Sequence, residues 1–360
     1  MRAAIFVGTD QDLAIEDVTA MAPGPRDVVV RVAASGVCHS DQSVIDGKFP
    51  GAPPIVLGHE GAGTVDWVGA EVTRVRPGDL VILSLTPVCG SCWHCLRQET
   101  HLCEFGSVVN ARKRVTRTDG TEANCISGLG SFADVMTVDE ASCIPVRTDL
   151  PADQLALIGC GVTTGLGAAL NTAPVRAGDT VAIIGCGGVG LSALQGARIA
   201  GATRIIAVDP VALKREAAER HGATDVVDPG AGDPVEQVLA LTGGRGVDIA
   251  FEAVGHEMLA EQALGMTRRG GTTVFVGVPH WQATLALPIM KLVVQDRTIK
   301  GSYYGSARTT RDFPRFIDLI ETGRLDLGSM ITKHFSLDEV NVALAAMRDG
   351  DVVRGVLVGD

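Results

Sequence analysis

The sequence predicts a two-domain α/β protein, with a mainly-β unit joined to a doubly wound parallel sheet. Three observations carry that expectation. At 360 residues the chain is long enough for two independent hydrophobic cores. Up to roughly residue 150 it alternates short β-rich runs with turn residues, and beyond roughly residue 155 apolar strands alternate with helical segments.

The first stretch reads as strands in "AAIFVG", "LAIEDV", "DVVVRVAASGV", "GAGTVDWVG", "DLVILS" and "SFADVMTV". In the second, "TVAIIG", "RIIAVD", "VDIAFEAVG" and "GTTVFVGV" are strands, separated by helices such as "LSALQGARIAG", "LKREAAERHGA" and "LAEQALGMTRRG". That alternation implies parallel strands joined by crossover helices. The tail brings an amphipathic helix, "RDFPRFIDLIETG", and a last strand, "VVRGVLVG", expected to pack back onto the first domain. Boundaries are drawn at 1–161 plus 304–360 for that domain, and 162–303 for the other.

Composition narrows the function classes. With 46% hydrophobic and 20% charged residues the chain is an ordinary globular protein. A net charge of -11 argues against nucleic acid, which needs a clustered basic surface. The basic run Arg112, Lys113, Arg114 and Arg117 is expected to be a solvated loop. The N-terminal apolar run is too short for a secretory leader, and the tract 180–208 is broken by glycines and by Arg198 and Arg204, so no membrane partner is expected. A cytoplasmic setting follows, in which the nine cysteines are reduced thiols or metal ligands.

"TVAIIGCGGVG" places Gly185, Gly187, Gly188, Val189 and Gly190 between a strand and a helix. The first glycine of such a turn permits the sharp bend, the second admits a pyrophosphate, the third lets helix and strand pack closely, and the helix N-terminus faces the phosphates. Asp209 ends the next strand, where a carboxylate accepts from an adenosine ribose and repels a 2′-phosphate. NAD is the expected cofactor, a preference softened by Lys214 and Arg215.

Two groups of metal-binding residue types stand out. Cys89, Cys92, Cys95 and Cys103 lie in the compact stretch 87–104, where four thiolates can close a tetrahedral zinc site with no open position. Such a site is a staple, although a redox dithiol or an iron–sulfur cluster fits the same residues, and His94 and His101 are expected to be solvated. Chemistry must then lie elsewhere. "GVCHSD" and "GHEGAGTV" offer Cys38, Asp41, His59 and Glu60, and "LIGCGVTTG" offers Cys160 as a third ligand for a zinc with an exchangeable position.

These motifs, in this order, resemble those of zinc-dependent medium-chain alcohol dehydrogenases along essentially the whole chain. The resemblance implies a GroES-like catalytic domain, built from both ends of the chain, around a Rossmann cofactor domain, with the active site in the cleft. It implies two zinc ions per chain. Cys38, His59 and Cys160 would bind the catalytic ion, with Asp41 and Glu60 behind them and Asp41 orienting His59. Ser40 would take the hydroxyl proton, His39 and Arg354 would touch the cofactor pyrophosphate, and Thr164 and Val278 would lie along the cofactor. Where many members carry a relay histidine this chain has Ser43, so the usual proton exit is missing.

The implied reaction interconverts a primary alcohol, medium-chain or aromatic, and its aldehyde. Phe49, Leu85, Val108, Tyr303 and Tyr304 are expected to line the substrate pocket. "DGTE", "LGSFAD" and the long glycine-rich stretch resemble the actinobacterial branch, which includes mycothiol-dependent formaldehyde dehydrogenases, and that activity is the alternative. A non-catalytic NAD-binding zinc protein is a further reading, opposed by the complete ligand set. A homodimer or homotetramer is expected, paired near "ATLALPIMKLV".

Overall fold

The strand Asp27–Gly36 organises the first half of the chain. Its middle residues alternate between buried Val28 and Val30 and more exposed Val29 and Arg31, as a one-sided strand does, while Ala34, Ser35 and Gly36 at its end are all buried. It pairs antiparallel with Glu60–Val68 on one side and with Arg354–Val358 on the other. A computed structural model describes residues 1–49 and 51–359. In it these strands belong to a seven-stranded sheet that continues through Leu80–Leu83 and Cys143–Pro145 at one edge and Ile331–Phe335 at the other. The short strands Arg2–Phe6, Ala14–Ala20, Val115–Arg117, Glu122–Cys125 and Ile55–Val56 close a small barrel.

The chain divides into two compact units. One comprises Met1–Cys160, Arg308–Gly323 and Leu327–Asp360, and the other Gly161–Ala307 with Arg324–Asp326. Both ends of the chain share one core of the first unit, where Phe6, Leu57 and Phe132 pack with Val340, Leu344 and Leu357. That burial ties the last helix and strand to residues more than three hundred positions earlier.

The second unit is a six-stranded sheet, wholly parallel, ordered Asp225–Val227, Arg204–Val208, Thr180–Ile184, Val247–Glu252, Thr267–Phe275, Thr298–Gly301. Thr180–Ile184 and Arg204–Val208 are buried along almost their full length, as strands covered by helices on both faces must be. The order reverses between Thr180–Ile184 and Val247–Glu252, the switch point at which such sheets bind ligands. The covering helices stop where glycine takes the left-handed conformation, Gly201 after Gly188–Ala200 and Gly222 after Ala212–His221.

The sequence reading misses one element. Residues Ala152–Thr172 form a helical run long and apolar enough to cross a membrane, but 78% of its most apolar window is buried inside the protein, which makes it a core helix. Two of its turns are π-helical, Ile158–Val162 and Ala168–Thr172. The first carries Cys160, and such bulges recur at functional positions because they redirect a side chain out of the regular helical pattern.

Candidate metal centre and nucleotide-binding turn

Cys38 follows the end of Asp27–Gly36, His59 precedes Glu60–Val68, and Cys160 lies in the π-turn. These elements bring Cys38, His59, Glu60 and Cys160 together so that their ligand atoms all lie within 4.8 Å of one another, every one buried. Asp41, fully buried in the helix His39–Ile45, holds the imidazole with its Oδ1 3.1 Å from Nδ1 of His59. The same oxygen accepts from the Gly58 amide at 2.9 Å. Gly58 sits at φ +87°, and a Cβ there would lie 2.4 Å from the Phe132 nitrogen, so only glycine fits this turn. With Nδ1 facing a carboxylate, Nε2 of His59 is left buried without a hydrogen-bond partner.

A buried, unpartnered imidazole nitrogen beside two sulfurs is the donor set of a borderline-soft divalent cation, and zinc fits it. The Cys160 thiol hydrogen-bonds to the Cys38 sulfur, which pulls Cys38 well below the usual thiol range and pushes Cys160 up. Burial disfavours a charged His59, but Asp41 and Cys38 outweigh it and hold the imidazole well above its ordinary value.

Glu60 is paired across the sheet with Arg354, and both side chains are buried. The sequence reading put Arg354 on the cofactor pyrophosphate; in the structure its guanidinium meets a carboxylate of the metal cluster. His39 is exposed at the start of its helix, and Ser40 and Ser43 are partly exposed beside it.

Cys89, Cys92, Cys95 and Cys103 converge in a second cluster with ligand atoms within 4.8 Å. The Cys89–Cys95 and Cys92–Cys103 sulfurs are 3.9 and 4.0 Å apart. A tetrahedron with Zn–S of about 2.3 Å has edges of about 3.8 Å, so these sulfurs fit one ion. The Ser91 amide, followed by that of Cys92, donates to Cys89 and lowers its thiol to about 6, while burial pushes Cys95 up to about 12. The lobe has little apolar burial of its own, since Trp93 and Leu96 are 59% and 74% exposed. His94 faces Glu99 at 3.1 Å, and the His101 ring is half-buried with Nδ1 unpartnered, so neither is simply solvated.

The basic run also departs from expectation. Arg114 is buried against Asp27 at 2.8 Å, Arg112 reaches Asp139 at 3.2 Å, and Arg117 grips Glu16 at 2.6 Å. The acids come from distant strands, which a local reading of the run does not include. Of the four, Lys113 alone is fully exposed.

In the second unit each glycine of the turn has a separate reason. Gly185 has φ +89°, Gly187 has open space within 4 Å of where a Cβ would point, and a Cβ on Gly190 would lie 1.7 Å from the Gly185 carbonyl. Gly187 therefore leaves room at the N-terminus of Gly188–Ala200, where Gly188 and Val189 begin the helix and phosphate is best received. Asp209 fixes the turn, its carboxylate accepting from Cys186 at 2.7 Å and from Val211 at 2.9 Å. Arg215 pairs with Asp228 at 2.8 Å and donates to the Asp209 carbonyl at 2.7 Å, and Lys214 is partly buried. Val278 is exposed beyond the end of Thr267–Phe275, and Thr164 is partly buried in its helix.

Phe49 packs on the core around Phe6, and Leu85 packs on a separate core around Val28. Tyr303 and Tyr304, expected as a pair, part company at 55% and 3% exposure because Tyr304 turns into the left-handed region at φ +52°. Val108 is exposed on Phe105–Asn110.

A buried group of two cysteines, a histidine and a glutamate, a second group of four cysteines and a parallel sheet with a glycine turn at its switch point are the parts of a metal-assisted, nicotinamide-linked oxidoreductase. The chain matches the family descriptions "Alcohol dehydrogenase GroES-like domain" over residues 24–148 and "Zinc-binding dehydrogenase" over 188–322. It belongs to the zinc-dependent medium-chain alcohol dehydrogenase family. It is 37% identical to a putative alcohol dehydrogenase D of Mycobacterium tuberculosis, over 99% of both chains. It is 37% identical to an NDMA-dependent alcohol dehydrogenase of Amycolatopsis methanolica, over 99% of this chain and 98% of the relative. It is 36% identical to an S-(hydroxymethyl)glutathione dehydrogenase of Paracoccus denitrificans, over 99% of both. The crystal structure of benzyl alcohol dehydrogenase from Acinetobacter calcoaceticus superposes with a TM-score of 0.93 at 30% identity, covering 100% of this chain and 99% of that one.

Proposed function

We propose that this enzyme interconverts a primary alcohol, aromatic or medium-chain, and its aldehyde, with zinc at Cys38, His59 and Cys160 and NAD on the glycine turn. The first unit is then the catalytic domain and the second the cofactor domain. The observation that carries the reading is the unpartnered Nε2 of His59, aimed into a cluster with two cysteine sulfurs. When bound, zinc lowers the pKa of a coordinated hydroxyl and NAD accepts the departing hydride.

The chain's own residues do the remainder. Asp41 fixes the His59 tautomer so that Nε2 keeps its lone pair. Arg354 holds Glu60 beside the ligands. Ser40 Oγ accepts the hydroxyl proton as its own passes to the nicotinamide ribose and on to solvent, by a water held at Ser43. Asp209 keeps the turn closed around Gly187 and meets the adenosine ribose, Thr164 and Val278 position the nicotinamide half, and His39 meets the pyrophosphate. Cys89, Cys92, Cys95 and Cys103 hold the second zinc.

The benzyl alcohol dehydrogenase likeness supports an aromatic carbinol. The S-(hydroxymethyl)glutathione dehydrogenase likeness supports the alternative instead, a formaldehyde dehydrogenase acting on a thiol adduct such as that of mycothiol. The enzyme works in the cytoplasm, where its nine cysteines remain thiols, and forms a homo-oligomer through the exposed edge strand Thr298–Gly301 and the apolar residues Leu287, Ile289, Met290 and Val293 beside it.

The test is a substrate panel on metal-quantified protein with NAD and NADP, with and without added thiol. Benzyl or hexyl alcohol should reduce NAD without thiol, and a chelator that strips the first zinc should abolish this. Formaldehyde turnover that needs thiol would replace the reading. No turnover of any alcohol by zinc-loaded protein would end it.

A further inference from the structure

The strand Asp27–Gly36 ends on a glycine that neither a turn nor a left-handed backbone demands. Gly36 is paired with Glu60 on one neighbouring strand and with Val356 on the other. The side chains of Glu60 and Arg354 meet over it, in the space a side chain at position 36 would fill. A Cβ there would lie 2.0 Å from Glu60 Oε2 and 2.9 Å from Arg354 Nη2. Glycine inside a strand commonly marks such a close approach.

We propose that Gly36 is a positioning residue for the metal centre: its missing side chain is the space in which Arg354 holds Glu60 away from the cation's open position. The inference rests on the zinc reading above. Glu60 belongs to the group of ligand atoms lying within 4.8 Å of one another. Whether it acts as a fourth ligand depends on what holds it, and the buried guanidinium of Arg354 is paired with it. A methyl group at position 36 meets the far end of a flexible side chain rather than backbone, so the carboxylate moves and the sheet stays. With Cys38, His59 and Cys160 within 4.8 Å, the displaced carboxylate closes on the cation and fills the position a substrate needs.

Gly36→Ala tests this, because the backbone at Gly36 lies outside the left-handed region and accepts alanine without strain. Arg354→Met approaches the same state from the other side of the pair, and serves if Gly36→Ala fails to fold. The readout is the change in cobalt d–d absorption when imidazole binds the cobalt-substituted enzyme, since only a site with an exchangeable position responds. Gly36→Ala and Arg354→Met should each weaken imidazole at least about tenfold, within the 10–100-fold range of outer-shell changes, and slow release of the first metal to a chelator. Adding Glu60→Asp to Gly36→Ala withdraws the carboxylate by one methylene and should restore imidazole binding. Unchanged imidazole affinity in both single variants, or a loss that Glu60→Asp does not restore, overturns the proposal. If the parent enzyme itself shows no imidazole response, the zinc reading fails first, so the two failures are told apart.

Discussion

The two ring nitrogens of His59 have different partners, and the difference comes from one carboxylate. Asp41 takes Nδ1 and the Gly58 amide together, so it fixes both the ring and the backbone that presents it. Asp41→Ala should therefore weaken the first zinc by about 10–100-fold, read as metal content after dialysis against a graded chelator, while the second zinc is retained. The sequence supplies the residues of this arrangement but only some of its contacts. Cys38, Asp41, His59 and the three turn glycines are legible because each carries a local geometric demand. The Glu60–Arg354 pair joins positions 294 residues apart, and Gly36 matters only because those two side chains cross it. No local pattern encodes a crossing of that kind.

At the scale of elements, the cysteine lobe is held by its metal. Its helices are a single turn each, Trp93–Leu96 and Thr100–Leu102, and its large apolar side chains are mostly exposed, so the four sulfurs must supply what a core would otherwise give. Cys89→Ser should lower the zinc content from two per chain toward one and destabilise the protein by about 4–5 kcal/mol, the range of a lost metal site, seen as an earlier unfolding transition. Retention of both metals by folded Cys89→Ser protein would contradict the assignment. The alternation of strands and helices in the second unit is plain in the sequence because parallel strands buried on both faces are continuously apolar. The basic run is not, since its charges are matched by Asp27, Asp139 and Glu16 from other strands. The helical run 152–172 is hidden by its glycines, which weaken the helical pattern in isolation and are tolerated because the run is packed inside.

For the whole molecule, the exposed edge strand Thr298–Gly301 and its apolar neighbours form a surface that a soluble monomer seldom leaves open. Ile289→Glu should shift the protein toward monomer in light scattering, with its zinc content intact. An unaltered mass would place the contact elsewhere. The chain's return to its first unit bears on biosynthesis as well. Residues 161–307 leave the ribosome as one uninterrupted body, lacking only the short piece 324–326, whereas the first unit needs Arg354–Val358 to complete its sheet. At about 5–20 residues per second, the roughly 300 residues between Gly36 and Arg354 take of order tens of seconds to synthesise. Throughout that interval the nascent Glu60 lacks its guanidinium, so the metal centre reaches its final form only once Arg354 has been made.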